Sequence, residues 1–220
     1  MTDRGNWICT KSGTRFFPLD PRPEEVNFMD VAHALSLKCR WGGHCKHFYS
    51  VAQHCQRVAD VAVVNFRKAH RGEWNRYKAQ DERYVELFAL LHDAHEAYLT
   101  DMPKPLKANL DWTKYEQKVD TAIFGKLGMA WVPSITYWEA LVKRADSVLL
   151  RIEATELFDP QLAKIEQWSF SGVEPAPWEL AAARVSNNLT EPHDPASEAD
   201  RYLRRVNDLV SAINLNTEVD

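Results

Sequence analysis

The 220 residues suit one domain, with or without appended segments. An apolar fraction of 45% and eight tryptophans supply a sizeable core and exclude wholesale disorder. With 27 basic against 31 acidic side chains, bulk charge gives no support to a protein that coats nucleic acid, though a local basic groove stays open.

Residues 1–26 read as an irregular arm. Its first stretch, Met1 to Trp7, has no apolar core of a signal peptide. No run in the chain approaches the ~18 apolar residues of a membrane span. Thr10 to Thr14 marks a turn, and Pro18, Pro21 and Pro23 keep the backbone extended. Trp7-Ile8 and Arg15-Phe16-Phe17 either pair as a short ribbon or pack on the domain; in both cases the arm reads as a decoration. Cys9, Cys39, Cys45 and Cys55 lack Cys-x-x-Cys spacing, which fits free thiols in a reducing cytoplasm. A zinc knuckle from Cys39, Cys45 and His47 is the alternative.

Asn27 caps a first helix with Phe28, Val31 and Leu35 on one face, ending near Cys39. A cationic loop with a Gly42-Gly43 hinge follows, from Arg40 to Tyr49. Ser50 and Gln53 form a capping-box signature for a second helix that runs to about Gly72 and carries His54 on its first turn. After a charged linker over about 71–81, a third helix is expected from Asp81 to Tyr98, with Val85, Leu87, Phe88, Leu90 and Leu91 as its apolar face. Its last two turns would hold His92-Asp93-Ala94-His95-Glu96. At ~100° per residue, His92 and Glu96 then share a face with Asp93 on its shoulder. Pro103 and Pro105 make 100–107 a loop.

A fourth helix is expected over about 112–127, stopped by Gly128, and a fifth over about 135–158, capped by Ser134 and ended by Asp159-Pro160. A short helix near 178–185 and a final one from Pro195 to about Ile213 complete the chain. Nothing reads as a substantial sheet. The fold class is therefore all-α, a single domain with its core over about 27–158 and a C-terminal extension over 159–220.

Four groups do not belong in an all-α core: His54, His92, Asp93 and Asp146. Each could singly be a satisfied buried polar residue or a surface group. Together, on three amphipathic helices, two imidazoles and two carboxylates make a coordination set for a first-row divalent metal, with positions left for water and substrate. The set suits Mn, Co, Fe, Zn or Ni, and a second divalent ion could bridge phosphates.

This pattern resembles the HD-domain metal-dependent phosphohydrolases, whose order of His, His-Asp and distant Asp reads here as His54, His92-Asp93 and Asp146. The blocks Ser50 to His54, Ala89 to Glu96 and Thr100 to Lys107 resemble the YfbR-like 5′-deoxynucleotidase branch and the related phage dATP triphosphohydrolases. The resemblance covers about residues 28–158. It implies an HD-domain helical bundle with His54, His92, Asp93 and Asp146 as metal ligands. It also implies Glu96 as the catalytic carboxylate beside the reacting phosphate, Asp101 as a second acidic residue, and Arg40-Trp41 as a pair beside the nucleotide. The Gly42-Gly43-His44-Cys45-Lys46-His47 insert departs from the general pattern and is characteristic of a phage-and-bacterial subgroup.

A divalent ion lowers the pKa of bound water towards ~7 and neutralises phosphate charge, so hydrolysis of a phosphoester is the expected chemistry. Glu96 would orient or deprotonate that water, or protonate the leaving 5′-oxygen. Arg40, Lys46, Lys104 and Lys107, with His44 and His47, are candidate phosphate binders or ordinary solvated charges. Trp41 either stacks on a base or belongs to the core, and His95 either supports a ligand or faces solvent. A deoxynucleoside triphosphohydrolase, acting on dATP or a related dNTP, is the first functional reading, because these basic groups exceed what a monophosphate requires. A deoxynucleoside 5′-monophosphatase is the alternative; a nuclease or a silent nucleotide-binding module is the third. The expected partners are a deoxynucleotide and a second copy of the chain in a symmetric homo-oligomer, with no membrane and no stable nucleic acid. The expected location is cytoplasmic, in the host if the chain is phage-encoded.

Overall fold

The element order is β1 (Ile8–Cys9), β2 (Arg15–Phe16), α1 (Phe28–Leu37), α2 (Val51–Ala69), α3 (Arg76–Leu91), α4 (Lys104–Lys107), α5 (Thr113–Lys126), α6 (Ile135–Leu157), α7 (Pro177–Val185) and α8 (Pro195–Ile213). The computed structural model describes residues 4–73, 75–129, 135–159, 164, 167–168, 172–185 and 191–213; Ser134 and Pro160, expected to bound α6, lie outside them. The all-α class holds, with the two-residue strands as the only sheet among the described residues. None of these helices is long and apolar enough to cross a membrane.

Helix α2 is the axis of the bundle. The Ser50 hydroxyl accepts from the Gln53 N–H at 3.2 Å, and the Gln53 side chain accepts from the Ser50 N–H at 2.8 Å, the reciprocal cap that the sequence announces. Val51, Cys55, Val58, Ala59, Val61 and Ala62 are fully buried because α3, α6, α7 and α8 pack around them. From α3, Leu87, Leu90 and Leu91 join the same core, each contributing about 1.5–3 kcal/mol by leaving water.

Both ends of the chain are more deeply involved than their sequences suggest. In the arm, Ile8 pairs with Phe16 and Cys9 with Arg15, so the ribbon forms. It is not a decoration: Phe16 is wholly buried and stacks on Tyr98 with centroids 3.7 Å apart. At the other end, α8 buries Tyr202, Val206 and Val210 against α1 and α3. Gln56 donates to Glu198 at 2.9 Å, and Arg205 meets Asp60 at 2.8 Å and Glu86 at 2.7 Å. Residues 195–213 therefore complete the core.

The 3₁₀ turn Pro23–Glu25 packs on α5. A Cβ on Gly125 would stand 2.9 Å from Pro23 Cγ, a ring that cannot swing aside. Gly125→Ala is accordingly expected to destabilise the protein by about 1–3 kcal/mol through overpacking. A lower urea midpoint at unchanged slope is the measurement.

Candidate metal centre

The expected third helix is not continuous. It begins earlier than its apolar pattern, at an Asn75 cap that accepts from the Tyr77 and Lys78 N–H groups. It also ends at Leu91, before the motif it was expected to carry. Asp93 leaves helical geometry at φ −111°, ψ 18°, and Ala94–Ala97 form a 3₁₀ turn. Two side chains explain the break. The His92 ring bonds the Ala89 carbonyl through Nδ1 at 2.7 Å, and the Tyr202 hydroxyl donates to the Leu90 carbonyl at 2.7 Å. Those carbonyls would otherwise receive the Asp93 and Ala94 N–H groups of a continuing helix. The break solves a problem of direction, since adjacent residues on a helix diverge by ~100°. Here Asp93 Oδ2 lies 3.2 Å from His92 Nε2.

The donors expected from sequence come together. One ligand atom each from His54, His92 and Asp93 lies within 4.8 Å of the others. Asp146, from α6, places Oδ1 3.2 Å from His54 Nε2, which is 3.8 Å from Asp93 Oδ2. Both imidazole Nε2 atoms are buried and make no hydrogen bond. Buried polar atoms without partners are costly; two aimed at carboxylates that lie against them fit a divalent cation. Burial opposes the charge of Asp93, yet His92, His54 and Arg40 hold its carboxyl well below the usual range.

Arg40 stands inside this centre. Its side chain is buried, with Nη1 3.4 Å from Asp93 Oδ2 and Nε 3.4 Å from Glu153 Oε2. Trp41 takes a left-handed φ of 59° and packs edge-on against Phe158 at 5.2 Å and tilted against Trp168 at 5.6 Å. That is an aromatic cluster at the rim of the core. The Lys46 ammonium and N–H go to the Glu156 and Leu157 carbonyls at 3.3 and 2.9 Å, closing the C-terminal end of α6. His44 is exposed and caps the Trp41 carbonyl, and His47 is half-buried. The Cys39 and Cys45 sulfurs lie 3.8 Å apart, and neither is in a converging donor group among the described residues, so the zinc knuckle is not formed.

Glu96 is buried, and its Oε2 makes no hydrogen bond. Burial, with the charges of Asp93 and Asp101, pushes its carboxyl up to about 8. The Lys38 ammonium donates to the Glu96 carbonyl and, at 3.4 Å, to the Leu99 carbonyl, which ties the end of α1 to the 3₁₀ turn. Asp101 is half-buried, and its charge reaches Glu96, Lys38 and Arg40.

His95 is buried rather than facing solvent. Its Nδ1 meets Asp120 at 3.0 Å and its Nε2 meets Glu116 at 3.4 Å. Burial opposes its charge, but these carboxylates raise it to about 10. Asp93, His95 and Glu96 form a second group of donors within 4.8 Å. Lys107 lies 2.7 Å from Glu116, whereas Lys104 is exposed at the start of α4. The segment 104–107, expected as loop, is one helical turn, because Pro105 near a helix N-terminus lacks only an N–H that would go unused.

Sequence reasoning missed Glu153, Tyr49, Lys38, Glu116 and Asp120. Only Glu153 left a signal, as an acidic residue among Val148, Leu149 and Ile152 on the apolar face of α6. Tyr49 donates to Glu153 Oε1 at 2.9 Å, and His54 Nδ1 lies 2.6 Å from the same atom.

An all-α bundle with a partly buried His/Asp centre able to hold a metal is thus the class of protein that fold and site define. No family model matches the chain. Over 153 residues it is 34% identical to the uncharacterized protein YfdR of Escherichia coli (strain K12), which covers 69% of this chain and 72% of that protein. Over 155 residues it is 32% identical to an uncharacterized protein of Rhodobacter capsulatus, with 69% and 72% covered. The chain belongs to the family of YfdR.

Proposed function

We propose that the protein is an HD-type metal-dependent phosphohydrolase that cleaves the 5′-phosphoester of a deoxynucleotide, releasing deoxynucleoside and triphosphate from dATP or another dNTP. The observation that carries this reading is the convergence of His54, His92 and Asp93, with Asp146 against His54, on buried imidazole nitrogens that make no hydrogen bond. These four residues would hold the ion, for which Mn, Co, Fe, Zn and Ni all suit the donor set. When bound, it supplies charge neutralisation to a phosphate and acidifies water.

The chain's own groups do the rest. Glu96 moves a proton at Oε2, taking it from the attacking water or handing it to the leaving 5′-oxygen. Arg40 offsets the negative charge of Asp93 and of an arriving phosphate. Lys107, held by Glu116, and Asp101 are the groups of the segment 98–107 that would meet the substrate. In this reading the enzyme works in a cytoplasm as a symmetric oligomer; the Asp93, His95 and Glu96 group does not suit a second ion, because both ring nitrogens of His95 already face carboxylates.

A deoxynucleoside 5′-monophosphatase is the second reading, favoured by one observation. Arg40 and Lys107 already face carboxylates, and His44, Lys46 and Lys104 are exposed, which reduces the surplus of positive charge that a triphosphate calls for.

The test is to incubate the metal-loaded protein with dAMP, dATP and their ribonucleotide counterparts. Intact triphosphate from dATP is the expected product. Phosphate from dAMP alone would select the second reading, and oligonucleotide cleavage with no mononucleotide product would overturn both.

A further inference from the structure

Glu153 is wholly buried, and the chemistry above does not use it. It stands two helical turns after Asp146 on α6 and so shares that residue's face. Its two oxygens have separate tasks. Oε1 meets His54 Nδ1 at 2.6 Å and accepts from the Tyr49 hydroxyl at 2.9 Å. Oε2 lies 3.4 Å from Arg40 Nε, while Nη1 of the same guanidinium lies 3.4 Å from Asp93 Oδ2.

An ionised carboxylate only accepts hydrogen bonds. The proton between Glu153 and His54 therefore belongs on Nδ1, and the lone pair of His54 points from Nε2 towards Asp93 and Asp146. A carboxylate in this position fixes ring orientation and raises the basicity of a ligand imidazole. We propose that Glu153 is a positioning residue of the centre, setting the His54 tautomer through Oε1 and holding Arg40 against Asp93 through Oε2. This rests on the reading of the four donors as a metal centre. A carboxylate kept only to neutralise Arg40 would leave the choice of His54 tautomer to the ring itself.

The experiment is zinc titration of wild-type, Glu153→Gln and His92→Ala proteins against a chromophoric chelator, the last variant setting the background. Glu153→Gln keeps the side-chain volume and is expected to bind zinc about 10–100-fold more weakly, with the circular dichroism of wild type. Affinity equal to wild type would overturn the proposal and leave the metal centre standing. A wild-type protein that binds no zinc beyond the His92→Ala background would remove the metal centre itself. Should Glu153→Gln not fold, the neutral His54 ring of metal-free wild-type protein labelled with ¹⁵N-histidine decides. A proton on Nδ1 of His54 supports the role of Glu153, and a proton on Nε2 overturns it.

Discussion

Glu96→Gln is expected to bind its divalent ion as wild type does and to lose about 10²–10⁴-fold in turnover, the range that one general acid or base contributes. The two halves of this result have separate structural grounds. Metal binding persists because Glu96 is not one of the four donors His54, His92, Asp93 and Asp146. The turn that carries Glu96 is held by backbone contacts: the Lys38 ammonium binds the Glu96 carbonyl, and the Glu96 N–H donates to the Asp93 carbonyl at 3.0 Å. An amide of the same size leaves these in place. Turnover falls because an amide cannot move a proton at the buried position now held by Oε2, which makes no hydrogen bond. Metal content by elemental analysis and kcat on the deoxynucleotide substrate are the two measurements. A variant with normal metal content and near-wild-type kcat would remove Glu96 from proton transfer.

The second large effect is on stability and needs no substrate. Saturating the wild-type protein with a divalent ion at a hundred times its Kd should stabilise it by about 2.7 kcal/mol, because the ion binds the folded state alone. For a chain of this size that is a rise in Tm of about 5–10 °C. The gain has a local origin. The Asp93 and Asp146 carboxylates lie 3.2 Å from the His92 and His54 rings respectively, and a cation held there offsets their charge. His92→Ala should melt without that rise, since it removes one of the two buried imidazole donors. Paired melts in chelator and in metal make the comparison. An equal rise in His92→Ala would place the responding ion at some other site.

Much of this organisation was legible along the chain. Ser50 and Gln53 announced the start of α2 because a capping box uses only groups three residues apart. Asn27 and Gly128 marked helix ends for similarly local reasons. The donors stood out because an imidazole or carboxylate on an apolar face is costly without a partner. Lys38, just past the end of α1, and Glu116 and Asp120, on the surface of α5, were not legible, since a charged residue at such positions is unremarkable until the neighbouring element is known. The arm misled for a related reason: nothing in Arg15-Phe16-Phe17 tells that Phe16 will stack on Tyr98.

What the sequence determined by itself is the all-α class, the boundaries of most helices and the choice of His54, His92, Asp93 and Asp146 as candidate donors, because those depend on periodicity, caps and side-chain chemistry. What only the tertiary structure decided is how they meet. Tyr202, from the far end of the chain, reaches the Leu90 carbonyl where α3 stops. The turn at Asp93 lets two adjacent side chains face one point, and Glu153 of α6 meets His54 of α2. Each of these depends on a contact between segments distant in the chain, which local propensity does not encode.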